Sequence, residues 1–290
     1  MSLPAATSEN RAVVTGASSG IGTALATELA RRGYSLIIVA RREALLRELA
    51  ARLENTFGVT VEVRACDLGD PEARTPLLDE LAEREISILC NNAGIASFGA
   101  IVDLDFDYER LQVQVNSVAP HELVLAVLPG MVKRGIGAIL NVGSAAGNMP
   151  IPNNATYAAS KAFLNTFSES LRGEVAGQGI NVTLLAPGPV RTEEIPEDEK
   201  SFVDRIVPDR LWVDTEYTAK VSLDALSRNR MRVVPGPLSQ VMSFAGNYTP
   251  RRVIAPIVGK FYAKLGEGQA DAAGDGAPAG ETAGGHKAGD

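Results

Sequence analysis

Short apolar runs alternate with longer segments of helical periodicity along most of this chain, and this alternation restricts the fold more than any other feature. Strand, helix and strand repeat in this way when a parallel sheet carries helices on both faces. The strand-like runs cover residues 12–16, 35–40, 61–67, 86–94, 138–144, 180–188 and 231–236. The sequence therefore predicts a doubly wound α/β fold with about seven parallel strands and right-handed crossovers.

The length of the chain suits one large domain followed by a tail. Its 290 residues exceed the common domain size, but a doubly wound domain often reaches about 250 residues. We expect residues 1–265 to form a single domain, with a C-terminal extension that begins at about residue 237. Residues 266–290 are almost entirely Gly, Ala and small polar residues, and we expect disorder there because they bury too little apolar surface to offset the ordering entropy.

Charge and metal-ligand content exclude several classes of protein. A net charge of −7 gives no basic face for phosphates, so we expect no nucleic acid partner. Cys66 and Cys90 each end an apolar run, a position where buried free thiols are common. Because His121 has no second His or Cys at ligand spacing, we expect no metal site. No signal peptide is evident and no apolar run approaches the roughly 20 residues of a membrane span, which predicts a cytoplasmic protein.

A glycine-rich segment, TGASSGIG at residues 15–22, joins the first predicted strand to the first predicted helix. Gly16, Gly20 and Gly22 permit a tight turn, a close approach to a pyrophosphate and close packing of the helix on the sheet. The helix N-terminus adds amide donors and a positive dipole. In this position the segment predicts a Rossmann-type dinucleotide site.

The second predicted strand ends in Ala40, Arg41 and Arg42, where an acidic residue would normally accept the adenosine ribose hydroxyls. A guanidinium pairs with a 2′-phosphate through charge-assisted hydrogen bonds, whereas a carboxylate would repel it. The position therefore favours NADP(H) over NAD(H). The alternative is that both arginines merely begin a surface helix.

Two more turns follow predicted strands at the same edge of the sheet. In NNAG, residues 91–94, Gly94 permits a close approach to the cofactor and the asparagines can tie neighbouring strands. Asp67 ends the third strand, where its carboxylate is placed either to meet an adenine amino group or to cap a helix.

Tyr157 and Lys161 lie four residues apart near the start of a predicted helix, so they share one of its faces. Ser144 ends the preceding strand. Ligands of open α/β sheets bind beyond the carboxyl ends of the strands, where Ser144 and the NNAG turn both fall. A tyrosine and a lysine at this spacing are common by chance, but next to Ser144 and the NNAG turn the pair indicates a ligand site.

Over roughly residues 10–236 the chain resembles the short-chain dehydrogenase/reductase family, in particular its NADP(H)-preferring carbonyl and ketoacyl reductases. The motifs that carry the resemblance occur in the family's order and at about its spacing: TGASSGIG, NNAG, Asn116, Ser144, Tyr157 with Lys161, and PGPVRT at residues 187–192.

The resemblance implies a role for each catalytic position. Tyr157 would be the general acid in reduction and the base in oxidation, and Ser144 would polarise the substrate carbonyl. Lys161 would hold the nicotinamide ribose and lower the pKa of Tyr157 toward working pH. Asn116 would support a water that connects Lys161 to solvent.

The resemblance also implies an NADP(H) site. Its residues would be Gly16, Ser18, Ser19, Gly20, Ile21, Gly22, Arg41, Arg42, Asp67, Leu68, Asn92, Ala93, Gly94, Tyr157, Lys161, Pro187, Gly188, Val190 and Thr192. The backbone around Pro187, Gly188 and Val190 would cradle the nicotinamide, with the Thr192 hydroxyl near its carboxamide.

The leading functional prediction is the NADPH-dependent reduction of a ketone or 3-oxoacyl carbonyl to a secondary alcohol. A hydroxysteroid or other secondary-alcohol dehydrogenase would use the same site in oxidation, and a noncatalytic NADP(H)-sensing protein would use the same fold. The complete set of Asn116, Ser144, Tyr157 and Lys161 favours an enzyme over a sensor.

The expected partners are a small carbonyl or alcohol substrate and further copies of the chain. Helix faces near residues 104–134 and 155–176 are expected to pair in a homodimer or homotetramer. Residues 237–265 mix apolar and basic side chains, which favours packing on the domain or a partner subunit. The alternative is that they line the entrance for a lipid-like substrate or rest on a membrane surface.

Overall fold

The seven strands predicted from the apolar runs all form, and together they make one parallel sheet. The computed structural model describes residues 3–188, 190–191, 212–236, 239–241, 243–244, 252 and 256. The strands within this part of the chain are β1 (Arg11–Thr15), β2 (Leu36–Ala40), β3 (Val61–Ala65), β4 (Ile86–Asn91), β5 (Gly137–Val142), β6 (Ile180–Leu185), β7 (Val190–Arg191), β8 (Val213–Asp214) and β9 (Arg232–Val233). The predicted tail and most of the predicted extension lie outside the described residues.

The order of the central sheet is β3-β2-β1-β4-β5-β6-β9, and each neighbouring pair is parallel. The connection order reverses between β1 and β4, and such a switch point opens a crevice at the carboxyl ends of the strands. The short strands β7 and β8 pair separately and were not predicted. The predicted doubly wound α/β fold of Rossmann type is confirmed.

Seven longer helices occur in the described part of the chain. They are α1 (Gly20–Arg31), α2 (Glu43–Phe57), α3 (Pro71–Glu83), α4 (Phe106–Val113), α5 (Ala119–Arg134), α6 (Ala155–Glu174) and α7 (Thr215–Ser227). Asp214 is the N-cap of α7 and accepts a hydrogen bond from the Tyr217 amide. A π-helical turn at Gln114–Val118 interrupts the long helix that was predicted around residues 104–134.

The strands are buried on both faces, as the near-continuous apolar runs require. In β2, Leu36 and Ile38 pack in the layer of α1, α2 and α7, while Ile37 and Val39 pack in the layer of α3, α5 and α6. Burying each such side chain contributes about 1.5–3 kcal/mol. Helices therefore cover both sheet faces and leave the carboxyl edge open to a ligand.

In the part of the chain that the structure describes, one helical segment, Phe106–Arg134, is long and apolar enough to cross a membrane by length and composition. It contains no uninterrupted apolar run of about 20 residues, because charged residues such as Glu109, Arg110 and Glu122 interrupt it. Half of its most apolar stretch is buried inside the protein. Leu123, Val127 and Met131 from this segment pack against the sheet.

An ion-pair cluster closes the β3 edge of the sheet. Glu62 contacts Arg84, Arg11 and Arg64 at N···O distances of 2.6, 2.9 and 3.0 Å. Glu80 of α3 binds Arg64 and Arg84 from the other side, at 2.6 and 2.8 Å. The Arg84 guanidinium, with Arg11 and Arg64, lowers the pKa of Glu62 to about 2 despite partial burial, so this carboxylate stabilises the folded state.

Candidate active site

A cleft of about 500 Å³ lies at the carboxyl edge of the sheet and gathers most of the predicted site residues. The predicted residues that line it are Gly16, Ser18, Ser19, Gly20, Ile21, Arg41, Arg42, Asp67, Leu68, Asn92, Ala93, Gly94, Tyr157, Lys161, Pro187, Gly188 and Val190. Of the other predicted residues, Gly22, Asn116 and Ser144 do not line the cleft itself, although Ser144 contacts the lining residue Tyr157, and Thr192 lies outside the described residues.

Several lining residues were missed by sequence reasoning. They are Ala40, Cys66, Ile95, Ala96, Val115, Val142 and Gly143. Most of them adjoin a predicted residue in the chain, so a rule that takes whole strand ends rather than single motif positions would have found them. Val115 adjoins the predicted Asn116, but it reaches the cleft from the π-helical turn and not from the end of a strand.

The glycine-rich turn is shaped by close backbone approaches. Gly16 has φ +65°, and a Cβ there would lie 2.8 Å from the Cα of Ala93, so any side chain would close this end of the cleft. A Cβ on Gly22 would lie 2.1 Å from the Gly16 carbonyl oxygen, which makes Gly22 a packing position for α1 on the turn. The amides at the start of α1 thereby open toward the cleft, in the arrangement that binds an anion.

Two guanidinium groups stand at the adenosine end of the cleft. Arg42 donates to Ser18 Oγ at 3.0 Å and to Ser19 Oγ at 2.9 Å, which fixes it beside the glycine-rich turn. The Arg41 side chain is 60% exposed, with Nη1 4.0 Å from Asp67 Oδ2, and it is therefore accessible to a ligand. Because both line the cleft, the alternative that they only begin a surface helix does not account for their positions.

The residues after β3 form a loop at the same end. Asp67 Oδ1 accepts a hydrogen bond of 2.9 Å from the Gly69 amide. The cap of α3 is Asp70, which accepts from the Glu72 amide at 2.9 Å. Asp67 is therefore not the cap of that helix, and its carboxylate remains in the cleft wall.

Arg74 holds this loop, and sequence reasoning missed it. Its side chain is 2% exposed and pairs with Glu122 of α5 at 2.6 Å. Its Nη1 donates to the Leu68 carbonyl oxygen at 2.5 Å. A buried guanidinium with these partners ties α3, α5 and the cleft wall together.

The NNAG turn is tied to its neighbours by side-chain amides, as predicted. Asn92 Nδ2 donates to the Thr15 carbonyl oxygen at 2.9 Å, which links the ends of β4 and β1. Asn91 Nδ2 donates to Asn141 Oδ1 at 2.9 Å, which links β4 and β5. The switch point therefore has fixed walls on both sides.

Helix α6 directs Tyr157 and Lys161 into the cleft from one face. Lys161 Nζ donates to the Val142 carbonyl oxygen at 2.9 Å and lies 5.8 Å from the centroid of the Tyr157 ring. Burial lowers the pKa of Lys161 to about 8. This lysine is still mostly protonated at neutral pH.

The pKa of Tyr157 moves opposite to the expected direction. Burial of the phenol raises it above the ordinary value, and contact with Ser144 opposes that rise only partly. We expected the ammonium of Lys161 to lower it, but that group is hydrogen-bonded to Val142 and is itself weakened as a cation by burial. Tyr157 is therefore a neutral phenol at physiological pH, which is the form that donates a proton.

Asn116 lies in the π-helical turn, a widened turn that often occurs at functional sites. Its Oδ1 accepts from the Ile95 amide at 2.9 Å, and its Nδ2 donates to the Ile95 carbonyl oxygen at 2.8 Å. A Cβ on Gly94 would lie 3.2 Å from Lys161 Nζ and 3.3 Å from Asn116 Oδ1. Asn116 thus fixes the backbone that faces the lysine.

Ser144 follows β5 and begins the turn at Ala145–Asn148, where its Oγ accepts from the Ala146 amide at 3.1 Å. The Pro187 carbonyl oxygen accepts a hydrogen bond of 3.0 Å from the Ala145 amide, and the Gly188 amide donates one of 3.0 Å to Ser239 Oγ. The nicotinamide side predicted at residues 187–190 therefore lies next to the serine.

Comparison with known proteins identifies the family to which these features belong. A family model described as short chain dehydrogenase matches residues 10–200. Sulfoacetaldehyde reductase 2 from Chromohalobacter salexigens is 40% identical over 239 residues, which cover 77% of this chain and 93% of that protein. Very-long-chain 3-oxoacyl-CoA reductase from Laccaria bicolor is 41% identical over 178 residues, 60% of this chain and 53% of that protein. The chain thus spans about half the length of the latter.

A solved structure shares the fold over nearly the whole chain. A short-chain dehydrogenase from Sphingobium yanoikuyae in complex with NADPH superposes with a TM-score of 0.72 and is 31% identical. The match covers 94% of this chain and 98% of that one.

Proposed function

The chain belongs to the short-chain dehydrogenase/reductase family, and on this premise we propose that it reduces a ketone or 3-oxoacyl carbonyl to a secondary alcohol with NADPH. The observation that carries the proposal is the meeting of Tyr157 and Lys161 in one cleft with a glycine-rich turn and two arginines. Members of this family are oxidoreductases that act on CH–OH and C=O groups. The role of Tyr157 as proton donor, the direction of the reaction and the substrate are the proposed part.

The cleft fits NADP(H) by shape and by charge. At the pyrophosphate position, Gly16 leaves space that a Cβ would fill, and the N-terminus of α1 supplies amide donors. Arg41 and Arg42 would hold the 2′-phosphate, while Asp67 would face the adenine. Gly94 and Gly188 line the other end, where Lys161 would hold the ribose hydroxyls.

The chain's own residues account for the proton transfer. When bound, NADPH supplies a hydride to the carbonyl carbon. The Tyr157 hydroxyl donates its proton to the carbonyl oxygen, and Ser144 donates a hydrogen bond to the same oxygen and polarises it. The protonated Lys161, 5.8 Å from the centroid of the Tyr157 ring, would offset part of the cost of the buried tyrosinate that remains, although burial keeps the pKa of Tyr157 above its ordinary value.

Names of relatives guide the choice of substrates to test. One relative is a very-long-chain 3-oxoacyl-CoA reductase and another is a sulfoacetaldehyde reductase, and both names describe reduction of a carbonyl. A panel should therefore contain 3-oxoacyl thioesters of increasing chain length, sulfoacetaldehyde, simple ketones and steroid ketones, with NADPH consumption as the readout. The matching secondary alcohols with NADP⁺ test the opposite direction.

The outcomes of this panel separate the candidate functions. Turnover of one carbonyl class, lost in Tyr157→Phe, supports the proposed reductase. Efficient oxidation of an alcohol without appreciable reduction of its ketone would favour a dehydrogenase. Tight NADPH binding without turnover of any member would favour a noncatalytic sensor and contradict the proposal.

We also propose that the protein forms a homodimer through α4, α5 and α6. A shallow groove there is lined by Val113, Ser117, Val118, His121, Thr156, Ala159, Ser160 and Phe163. Phe163 is 45% exposed and Leu125 55% exposed, and His121 packs edge-on against the Phe163 ring. Pairing with a second copy about a two-fold axis would remove these exposed apolar side chains from water.

A further inference from the structure

The backbone of Ser144 is held on both sides by one buried side chain. Asn165 Oδ1 accepts a hydrogen bond of 3.4 Å from the Ser144 amide, and Asn165 Nδ2 donates one of 2.9 Å to the Ser144 carbonyl oxygen. Asn165 is 3% exposed and lies one helical turn after Lys161 in α6. Tyr157, Lys161 and Asn165 therefore follow one another on one face of the helix.

Glycines beside Ser144 leave room for this amide. A Cβ on Gly143 would lie 2.0 Å from Asn165 Oδ1, and a Cβ on Gly147 would lie 2.7 Å from Asn165 Nδ2. A larger residue at Gly143 would displace the amide from the Ser144 backbone, and one at Gly147 would also press on the α6 backbone, because its Cβ would lie 2.6 Å from the Lys161 carbonyl carbon. The turn from β5 into the cleft is thus built around Asn165.

A second amide continues the contact toward the C-terminal segment. Asn165 Nδ2 also donates to Asn148 Oδ1 at 3.1 Å, and Asn148 Nδ2 donates to Ser243 Oγ at 3.2 Å. Arg232, at the start of β9, donates to the same Asn148 oxygen at 3.4 Å and pairs with Glu169 of α6 at 2.9 Å. Ser243 belongs to the extension that follows the last strand of the sheet.

We propose that Asn165 is a positioning residue for Ser144 and that Asn148 extends this support to Ser243. The inference rests on the proposed function, in which Ser144 binds the substrate carbonyl. A hydroxyl must lie within a fraction of an ångström of its working position, and a misplacement of about 1 Å costs up to roughly a hundredfold in rate. The turn at Ala145–Asn148 is short and of a type with poorer hydrogen-bond geometry, so the two bonds from Asn165 add to the constraints on Ser144.

A double-mutant cycle between Asn165→Ala and Ser144→Ala tests this inference. With the best substrate of the carbonyl panel, Asn165→Ala should lower kcat roughly 10- to 100-fold and leave the NADPH dissociation constant within about twofold. In the Ser144→Ala background, the same change should cost less than about threefold, because the hydroxyl to be positioned is already gone. Full additivity of the two losses in a folded double variant would overturn the inference.

Asn181→Ala is the matched control. Asn181 in β6 is 1% exposed and donates to the Leu226 carbonyl oxygen at 3.0 Å, so its loss also removes a buried amide, but far from the cleft. We expect this variant to keep kcat within about twofold, with melting measured by circular dichroism for every variant. An equal fall of kcat in Asn181→Ala would mean that general loosening explains the effect.

Asn148→Ala and Ser243→Ala extend the test to variants that disturb the core less. Each should lower kcat by roughly 3- to 10-fold without changing the NADPH dissociation constant. Unchanged kcat in Ser243→Ala would overturn the link to the C-terminal segment. If Ser144→Ala alone keeps full kcat, the role proposed for Ser144 in the reaction is wrong. Additivity of the Asn165→Ala and Ser144→Ala losses would instead contradict only the positioning role of Asn165.

Discussion

The ammonium nitrogen of Lys161 donates a hydrogen bond of 2.9 Å to the carbonyl oxygen of Val142, the last residue of β5. Helix α6 and the central sheet therefore hold this cation together at the floor of the cleft. Burial lowers its pKa to about 8, so its charge changes within the mildly alkaline range. Tyr157, whose pKa burial raises, stays protonated over the same range.

The first prediction concerns the pH dependence of reduction. The value of kcat/KM for NADPH should be full below about pH 8 and fall as pH rises through that value, because the protonated Lys161 is the active form. The measurement is kcat/KM between about pH 6 and pH 10 in buffers of constant ionic strength.

Lys161→Arg separates this lysine from other titrating groups. A guanidinium stays protonated throughout the range, so the decline near pH 8 should disappear, although the absolute rate should be lower because the longer side chain fits the site poorly. A decline that persists unchanged in this variant would assign it to another group.

The second prediction concerns the proton donor. Tyr157→Phe should reduce kcat by at least about a hundredfold, since general acid catalysis contributes roughly that much or more. The NADPH dissociation constant, measured by nicotinamide fluorescence, should stay within about threefold because the phenyl ring keeps its packing against Met149 and Ile151. Substantial residual turnover would show that the proton comes from elsewhere.

The third prediction concerns the choice of cofactor. The wild-type protein should prefer NADPH over NADH by at least about tenfold in kcat/KM, and Arg41→Ala or Arg42→Ala should reduce that ratio by roughly 10- to 100-fold. Arg47→Ala is the control, because Arg47 lies in α2, which begins directly after Arg42, but pairs with Glu43 and does not line the cleft. Equal preference in the wild type, or loss of preference in the control, would contradict the assignment.

Much of the fold was predictable because its determinants are local in the sequence. The apolar runs mark strands that are buried on both faces, and the four-residue spacing of Tyr157 and Lys161 fixes a shared helix face. Motif residues at strand ends, such as Gly16 and Gly94, meet because a parallel sheet brings all its carboxyl ends to one edge.

The remainder depends on contacts between distant parts of the chain. The role of Asn165 follows from its hydrogen bonds to Ser144, and Arg74 reaches Leu68 and Glu122 across two elements. The spacing of Asn165 and Arg74 in their helices does not indicate which distant residues they will contact. The raised pKa of Tyr157 likewise depends on burial, which no spacing rule reports.

The fourth prediction concerns stability. Glu62→Gln should lower the free energy of unfolding by about 1–3 kcal/mol at neutral pH, because three guanidinium groups lose the carboxylate that they contact. The loss is limited because solvent partly screens these ion pairs. Because the pKa of Glu62 is lower in the folded than in the unfolded protein, its carboxylate stabilises the folded state fully at pH values above the ordinary pKa of 4.5. This contribution disappears as the pH falls toward about 2. Urea unfolding should therefore show the two proteins converging in acid.

Glu43→Gln provides the comparison for this experiment. Its partner Arg47 is 71% exposed and Glu43 itself is 50% exposed, and such surface pairs contribute about 0–1 kcal/mol. We expect little change in unfolding free energy at any pH. A loss as large as that of Glu62→Gln would mean that net charge, rather than the ion-pair cluster, determines the result.

The last prediction concerns the proposed dimer. Phe163→Glu adds a charge to the wall of the groove formed by α4, α5 and α6, next to the His121 ring. The variant should be a monomer, because an unpaired charge buried at an apolar interface is unfavourable. Tyr217→Glu is the control, since Tyr217 is 52% exposed on α7, away from that groove. Molar mass from light scattering should fall by half for Phe163→Glu alone. A wild-type protein that is monomeric at all concentrations, or a dimer that survives Phe163→Glu, would show that this face is not the subunit interface.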